Sequence, residues 1–535
     1  MTKFRFLIAL LLVLSVGGCK KKSGPDCPCK SSGGDGYLRV SFHTEVQSLN
    51  PRKGIDFPTF FAVKMLFEGL TYIGPDQKPH PAIAESYEIS EDQKTYTFHL
   101  RPTIWTNGDR VTAHDFAYSW RRVIDPNDSS LGAENFYPIK NVEAAFLGQK
   151  PMDSVGIEVL DNSTLRVELE HPTPYFLDIL ATPAYLPVNR RVDQEDSNWE
   201  NSPETFVCNG PFLLEKHHFN DEIVVAKNPQ YWNEKEVKLP GIRVAIVKDM
   251  TTQLNLFEKN EIQWLGNPIS KFPLDAIQHL KDTNQLEHYP TLSVYWYFIN
   301  TESFPFQNKK MRQAFAYALN RKMMCDTVLE AGETPAHAIL PHSLATQDCS
   351  FFDYNQEKAL ALFEEALEEM NITRNELPTI TLNYAVVPAY TLVAEETQQE
   401  WQNTFGIEVK LEHQDWRGHF GKLQSGNFQI GGMGWQSWLR DPIYIMQTFR
   451  KKDAGINMCR WENQEFQSLL NEAEAEANLA RRKELFNQAE ALLMEEMPVI
   501  PVYYMTLKCA KNPKLKDVYI SDLYEADFRW AYFDE

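Results

Sequence analysis

The sequence predicts a mixed α/β protein folded in more than one lobe, and three observations predict it. The chain has 535 residues, more than one compact core accommodates. Its composition is globular: 43% hydrophobic, 24% charged and 12% aromatic, where a disordered chain carries few aromatics. Runs with the two-residue period of a half-buried strand alternate with runs of helical period along the whole chain, with no internal repeat of solenoid or propeller length.

Taken in order, residues 37–51 (YLRVSFHTEVQSLNP) read as an alternating strand closed by a proline turn. Phe61, Met65 and Leu66 then share a helical face, with the helix ending near Gly69. Residues 86–100 read as a hairpin, with Ser90 to Gln93 at the turn and Tyr96, Phe98 and Leu100 alternating in the return strand. Thr112 caps a helix whose Phe116, Trp120 and Val123 line one side. Two alternating runs after residue 155 form another hairpin. In the second half, 242–247 is a strand and 249–259 a helix. Segments 311–319, 356–370 and 465–497 are helical with buried Leu, Phe and Ala faces, and strands at 380–386 and 407–411 are separated by a helix.

Lys plus Arg number 53 against 73 Asp plus Glu, a formal net charge of −20. That field repels phosphate backbones, so nucleic acid is excluded as a partner. Beyond the N-terminus no run of 18 apolar residues occurs, which excludes a polytopic membrane protein.

The N-terminus has the pattern of a secretory signal over residues 1–18: Lys3 and Arg5, then an apolar core from Phe6 to Val16. Val16-Gly17-Gly18 before Cys19 resembles a bacterial lipobox, so Cys19 is expected to be lipidated and to hold the protein to a membrane at roughly 0.8 kcal/mol per buried methylene. A plain signal peptide or an uncleaved anchor is the competing reading. Residues 19–36, rich in Gly, Ser, Pro and Lys, read as a flexible tether, with Lys20 to Lys22 a solvated charge run or a contact to anionic headgroups. Eight cysteines in so long a chain do not make a disulfide scaffold. Cys27 and Cys29 lie in the tether and Cys208, Cys325, Cys349, Cys459 and Cys509 in the body; the sequence permits a Cys325–Cys349 pair without establishing it.

The motifs of zinc hydrolases, P-loops and serine hydrolases are missing, and the 13 histidines lack metal-ligand spacing. The expectation is a protein without catalysis, metal or cofactor.

Several stretches carry a resemblance. Residues 82–126 (AIAESYEISEDQKTYTFHLRPTIWTNGDRVTAHDFAYSWRRVIDP) resemble the signature block of the oligopeptide- and dipeptide-binding proteins of ABC transporters. FEGLTY (67–72), CNGPFLLEK (208–216), KNPQYWNEK (227–235), FINTESFPFQNKKMRQAFAYALNR (298–321), GMGWQSWLRDP (432–442) and MPVIPVYY (497–504) match in the same order, so the resemblance runs from about residue 37 to the C-terminus. It implies an α/β, two-lobed periplasmic-binding-protein-like fold with a hinge and an extra inserted domain. Domain I would combine 37–66, 205–295 and 505–535, domain II would be 67–204 and domain III 296–504. Such interleaving suits closure around a ligand.

In that family an extended peptide adds as a strand to protein backbone. The resemblance places Gly54, Ile55, Asp56 and Phe57 at one such edge, Asn267 at a polar contact, and Tyr503 and Tyr504 in an aromatic wall; from the residues alone these read as a loop before a helix and as strand core. Gly434, Trp435 and Gln436 open the block from 434 to 442 that matches the family's ligand-binding GW stretch. There the family's GW pair is followed by an Asp that holds the peptide ammonium, at the position Trp438 takes here. Two readings compete. Asp441 or Asp56 takes over the ammonium, or the ligand has no free amino end and Trp435, Trp438 and Arg440 hold an apolar or carboxylate-bearing group by stacking and charge-assisted bonds. Trp438 packing the lobe interface is the plainer alternative.

The expected function is an extracytoplasmic, lipid-anchored, monomeric solute-binding protein of the bacterial cell envelope, which captures oligopeptides and passes them to ABC permease subunits. The rivals are a carrier of a murein-derived peptide, nickel complex or haem, a surface lipoprotein that no longer transports, and a secreted hydrolase, which the missing nucleophile constellation disfavours.

Overall fold

Two long strands, Leu286–Ile299 and Val499–Lys511, lie antiparallel at the centre of the largest sheet. Residues 291–299 and 499–504 are buried on both faces, which is why the sequence over 294–299 and 499–504 is a continuous apolar run and not an alternation. On one side Val499–Lys511 pairs with Trp264–Gly266. On the other, Leu286–Ile299 pairs with Ile430–Gln436, and Ile380–Ala385 and Val409–Gln414 follow in parallel. Helices Pro388–Phe405 and Trp416–Ser425 supply the crossovers that parallel pairing requires. A second sheet sets Leu38–Phe42 parallel to Gly241–Ile246 and continues through Glu222–Lys227 to Phe212–His218; a third is the antiparallel set Ala84–Ile89, Thr95–Leu100, Thr164–Glu168, Ile157–Asp161. The structure, a computed structural model, describes residues 36–54, 56–128, 130–273, 276–345 and 352–534. The signal segment, Cys19, residues 20–35 of the tether, Ile55 and Cys349 lie outside the described residues.

Buried side chains form two large cores. One gathers Leu38 through Ile269 and returns from Leu507 to Ala531; the other gathers Leu292 through Tyr504, joined by Leu523. These are two lobes, and the chain passes between them along the two long strands, so both crossings are continuous backbone.

Most expected elements are present. Helix Ala113–Ile124 starts at Thr112 in a capping box with Asp115, whose Oδ2 accepts from the Thr112 amide at 2.8 Å. Three differences have local causes. The 465–497 stretch is two helices, Gln464–Ala475 and Leu479–Glu496, because Asn478 caps the second by accepting from the amides of Ala480 and Arg481. The first helix is Phe57–Leu66: Asp56 caps it, and it ends before Gly69 because the Glu68 backbone is bonded both ways by the Asn209 amide at 3.0 Å. The strand expected at 407–411 is Val409–Gln414, since Gly406, with φ of +60°, ends the preceding helix. Cys325 is a buried free thiol, as are Cys208, Cys459 and Cys509.

Candidate functional site

Strand Ile430–Gln436 pairs along its whole length with the central strand, Tyr295 opposite Gly434 and Ser293 opposite Gln436. On its other side Ile380–Ala385 pairs only as far as Gly432. From Met433 to Gln436, therefore, one edge of backbone has no strand against it among the described residues, although the Tyr390 hydroxyl stands beside Gly434. The pleat then sorts the expected residues onto two faces. Gly434, Gln436 and Tyr503 lie on the face of Tyr295, and Tyr503 stacks on Tyr295 with centroids 5.0 Å apart at 12°. Trp435 and Tyr504 lie on the opposite face: Trp435 stacks on Trp296 at 5.8 Å and 23°, and the Tyr504 hydroxyl donates to the Ala338 carbonyl at 3.1 Å. Tyr503 and Tyr504 are both core of their lobe, as strand period alone says, on opposite faces of the sheet.

The segment before the first helix is pinned within its own lobe. Arg52 pairs with Asp193 at 2.5 Å and Lys53 with Glu200 at 2.6 Å. Gly54 is a true requirement, because a Cβ there would lie 2.2 Å from Thr59 Cγ2. Asp56 is extended in backbone, with φ −97° and ψ 158°, and serves as the helix cap, its Oδ1 accepting from the Thr59 amide at 2.8 Å. Phe57, the first helical residue, stacks on Trp438 (5.5 Å, 25°) and touches Tyr524 (5.4 Å). Trp438 comes from the other lobe and is 42% exposed, so it closes one end of the interlobe space with an aromatic face. Asn267 is half-buried, precedes a cis peptide to Pro268, and fixes its backbone by donating to the Lys508 carbonyl at 2.9 Å.

Two expectations are corrected. Asp441 is not free for an ammonium: it is buried, its two oxygens accept from Arg482 at 2.5 and 2.9 Å, and it caps the helix Pro442–Met446. Arg440 is not free for a ligand carboxylate. Its guanidinium donates to Gln77 (2.9 Å) and Ser521 (2.8 Å) and pairs with Asp522 (2.7 Å) and Asp178 (3.6 Å). Burial pushes the Asp178 carboxyl up to about 6 against the pull of Arg440. Sequence reasoning missed Arg482, Asp178 and Asp522, and also Lys508 and Glu333, which pair with each other beside the aromatic wall. Nothing local marks them; each meets its partner only through the tertiary fold.

Two surface cavities lie elsewhere. One, about 330 Å³, is lined by Arg39, Gln263 and Asn512; the other, about 530 Å³, by Asn300, Asn383 and Glu412. Neither includes an expected site residue. Among the described residues no cluster of His, Cys, Asp or Glu could hold a metal, and no helix is long and apolar enough to cross a membrane.

Residues 78–457 match the family described as bacterial extracellular solute-binding proteins, family 5. The chain is 35% identical to the oligopeptide-binding protein OppA of Bacillus subtilis over 98% of each chain, and 33% identical to the dipeptide-binding protein DppE of the same organism over 98% of this chain and 97% of that one. Among solved structures it is similar to the periplasmic murein tripeptide binding protein MppA in its unliganded open form, with a TM-score of 0.83 at 26% identity, covering 94% of this chain and 98% of that one.

Proposed function

The chain belongs to the bacterial extracellular solute-binding proteins of family 5, and from that premise we infer that it captures oligopeptides between its lobes and delivers them to an ABC importer. One observation carries the reading. The unpaired edge at Met433–Gln436 offers backbone donors and acceptors at the lobe boundary, where an extended peptide adds as a strand and is held without reading its side chains. Tyr295 and Tyr503 stack in the core behind that edge, and Phe57 with Trp438 supplies an apolar wall for those side chains. Similarity to proteins named for oligopeptide, dipeptide and murein tripeptide binding agrees with a peptide backbone as the common ligand feature.

In this reading the three segmental domains 37–66 with 205–295 and 505–535, 67–204, and 296–504 are the bodies that move. The protein works as a monomer, performs no chemistry and is tied to a membrane through lipid on Cys19. Cys19→Ser should abolish acyl labelling and release the protein from membranes; unchanged partition would remove the anchor from the scheme. Peptide capture is tested on ligand-stripped protein with a library of two- to six-residue peptides that includes murein-derived ones. A ligand of the native cleft stabilises by about 2.7 kcal/mol at a hundredfold excess over Kd. A library that produces no rise in melting temperature would sink the peptide reading.

A further inference from the structure

Glu333 lies where the two lobes meet, and nothing said so far gives it a role. Thr334 and Pro335 pair antiparallel with Tyr504 and Tyr503, which sets Glu333 level with Met505. Cross-strand neighbours share a face. Met505 presents that face to the unpaired edge, its Sδ standing 3.1 Å from where a Cβ on Gly434 would be. Tyr503, two residues back on the same strand, lies on that face as well. Glu333 therefore sits beside Tyr503, on the face along which Met505 reaches toward Gly434 and the free strand edge.

Its side chain is 6% exposed. Lys508 pairs with Oε1, while Oε2 is buried and has no hydrogen-bond partner among the described residues. A buried carboxylate oxygen left unpaired is unfavourable, and a cationic donor entering from the cleft would satisfy it. The Glu333 charge also reaches the phenols of Tyr503 and Tyr524, both held above the ordinary tyrosine value by burial first and then by the neighbouring Tyr390 and Glu333. Tyr524 touches Phe57, which stacks on Trp438, so this carboxylate lies near the aromatic end of the cleft too. The other acids close by are spent: Asp441 on Arg482, Asp178 and Asp522 on Arg440, Asp56 on its helix.

We propose that Glu333 is the cation-binding group of the ligand site, receiving on Oε2 an ammonium of the bound peptide, either the α-amino end or a lysine side chain. The proposal rests on the peptide reading above and names the acid that reading lacks. Lys508 holds the carboxylate in place through its other oxygen and keeps the site near neutrality when it is empty.

The test is calorimetric titration of ligand-stripped wild type and Glu333→Gln, which keeps the volume and removes the charge. The probes are Ala-Leu-Ala-Leu, its N-acetylated form, and N-acetyl-Ala-Lys-Ala-Leu. The expected result is a loss of about thirtyfold or more for the free-amino or the lysine probe, with the neutral probe changed less than about threefold. Whichever cationic probe suffers identifies the ammonium. Equal losses for all three, or no loss while wild type binds them, would overturn the role of Glu333 and leave the peptide reading standing. Wild type that binds none of the three would overturn both. Should Glu333→Gln fail to fold, Lys508→Met serves instead, since removing the counter-charge should favour the cationic probes over the neutral one several-fold. No change in that ratio would count against the proposal.

Discussion

Asp441 and Arg482 show how residue chemistry divides between ligand and fold. Both are buried, and their paired bonds satisfy two groups that would otherwise be charged and dry. Breaking such a pair from one side leaves an uncompensated charge, so Asp441→Ala should lower unfolding free energy by about 3–5 kcal/mol, read as a fall in the urea midpoint. Peptide affinity measured well below that midpoint should change little, since the carboxylate does not face the ligand. Trp438 is the opposite case: its ring is exposed on one side and stacked on Phe57 on the other. Trp438→Ala should therefore cost little stability but weaken peptides carrying a large apolar residue at that end by about 1 kcal/mol, against no change for all-alanine peptides. Calorimetry on the two peptide classes separates these outcomes.

At the scale of elements, helix Leu479–Glu496 carries a built-in pH dependence. Glu490 faces inward, accepts from the Leu340 amide at 2.9 Å, and burial pushes its carboxyl up to about 7 from an ordinary 4.5. A raised folded value means that the folded protein prefers the protonated form. Its stability is therefore fully present below pH 4.5 and declines as pH rises through 7. Glu490→Gln, which mimics the neutral acid, should melt a few degrees above wild type at pH 8, with the difference vanishing near pH 4.5. A constant offset across that range would mean the carboxyl is not the titrating group. The pairing of Asn478 with its helix start, by contrast, is a local matter between neighbours two and three residues apart.

For the whole molecule, Arg440 joins the lobes away from the hinge strands. It belongs to the lobe of Leu292–Tyr504, and its partners Gln77, Asp178, Ser521 and Asp522 come from segments on either side of that lobe in the chain. Two acids share one guanidinium there, and burial raises both carboxyls. Arg440→Met should open the ligand-free molecule, seen as a larger radius of gyration by small-angle scattering. The effect should grow as pH rises through 6, where Asp178 takes on its charge in the folded protein. A peptide that bridges the lobes should reduce the radius in wild type. An unchanged radius in the variant at every pH would show that the hinge strands alone set the lobe angle.

What the sequence by itself determined is whatever depends on neighbours along the chain. Alternation marked the hairpins, Thr112 marked a helix start, and the ordered matches to a known family marked two lobes. Periodicity also read Tyr504 correctly as core. What only the tertiary structure decided is which charges remain available. Arg440 and Asp441 are adjacent in the sequence, yet one is consumed by residues 81 to 363 positions away and the other by Arg482, 41 positions on. Whether a carboxylate meets a guanidinium or a ligand depends on which distant segment the fold brings within about 3 Å, and no local pattern encodes that distance. Glu333 is the same case reversed. Its turn carries no motif, and its one free oxygen becomes visible only after Lys508, 175 residues later, has taken the other.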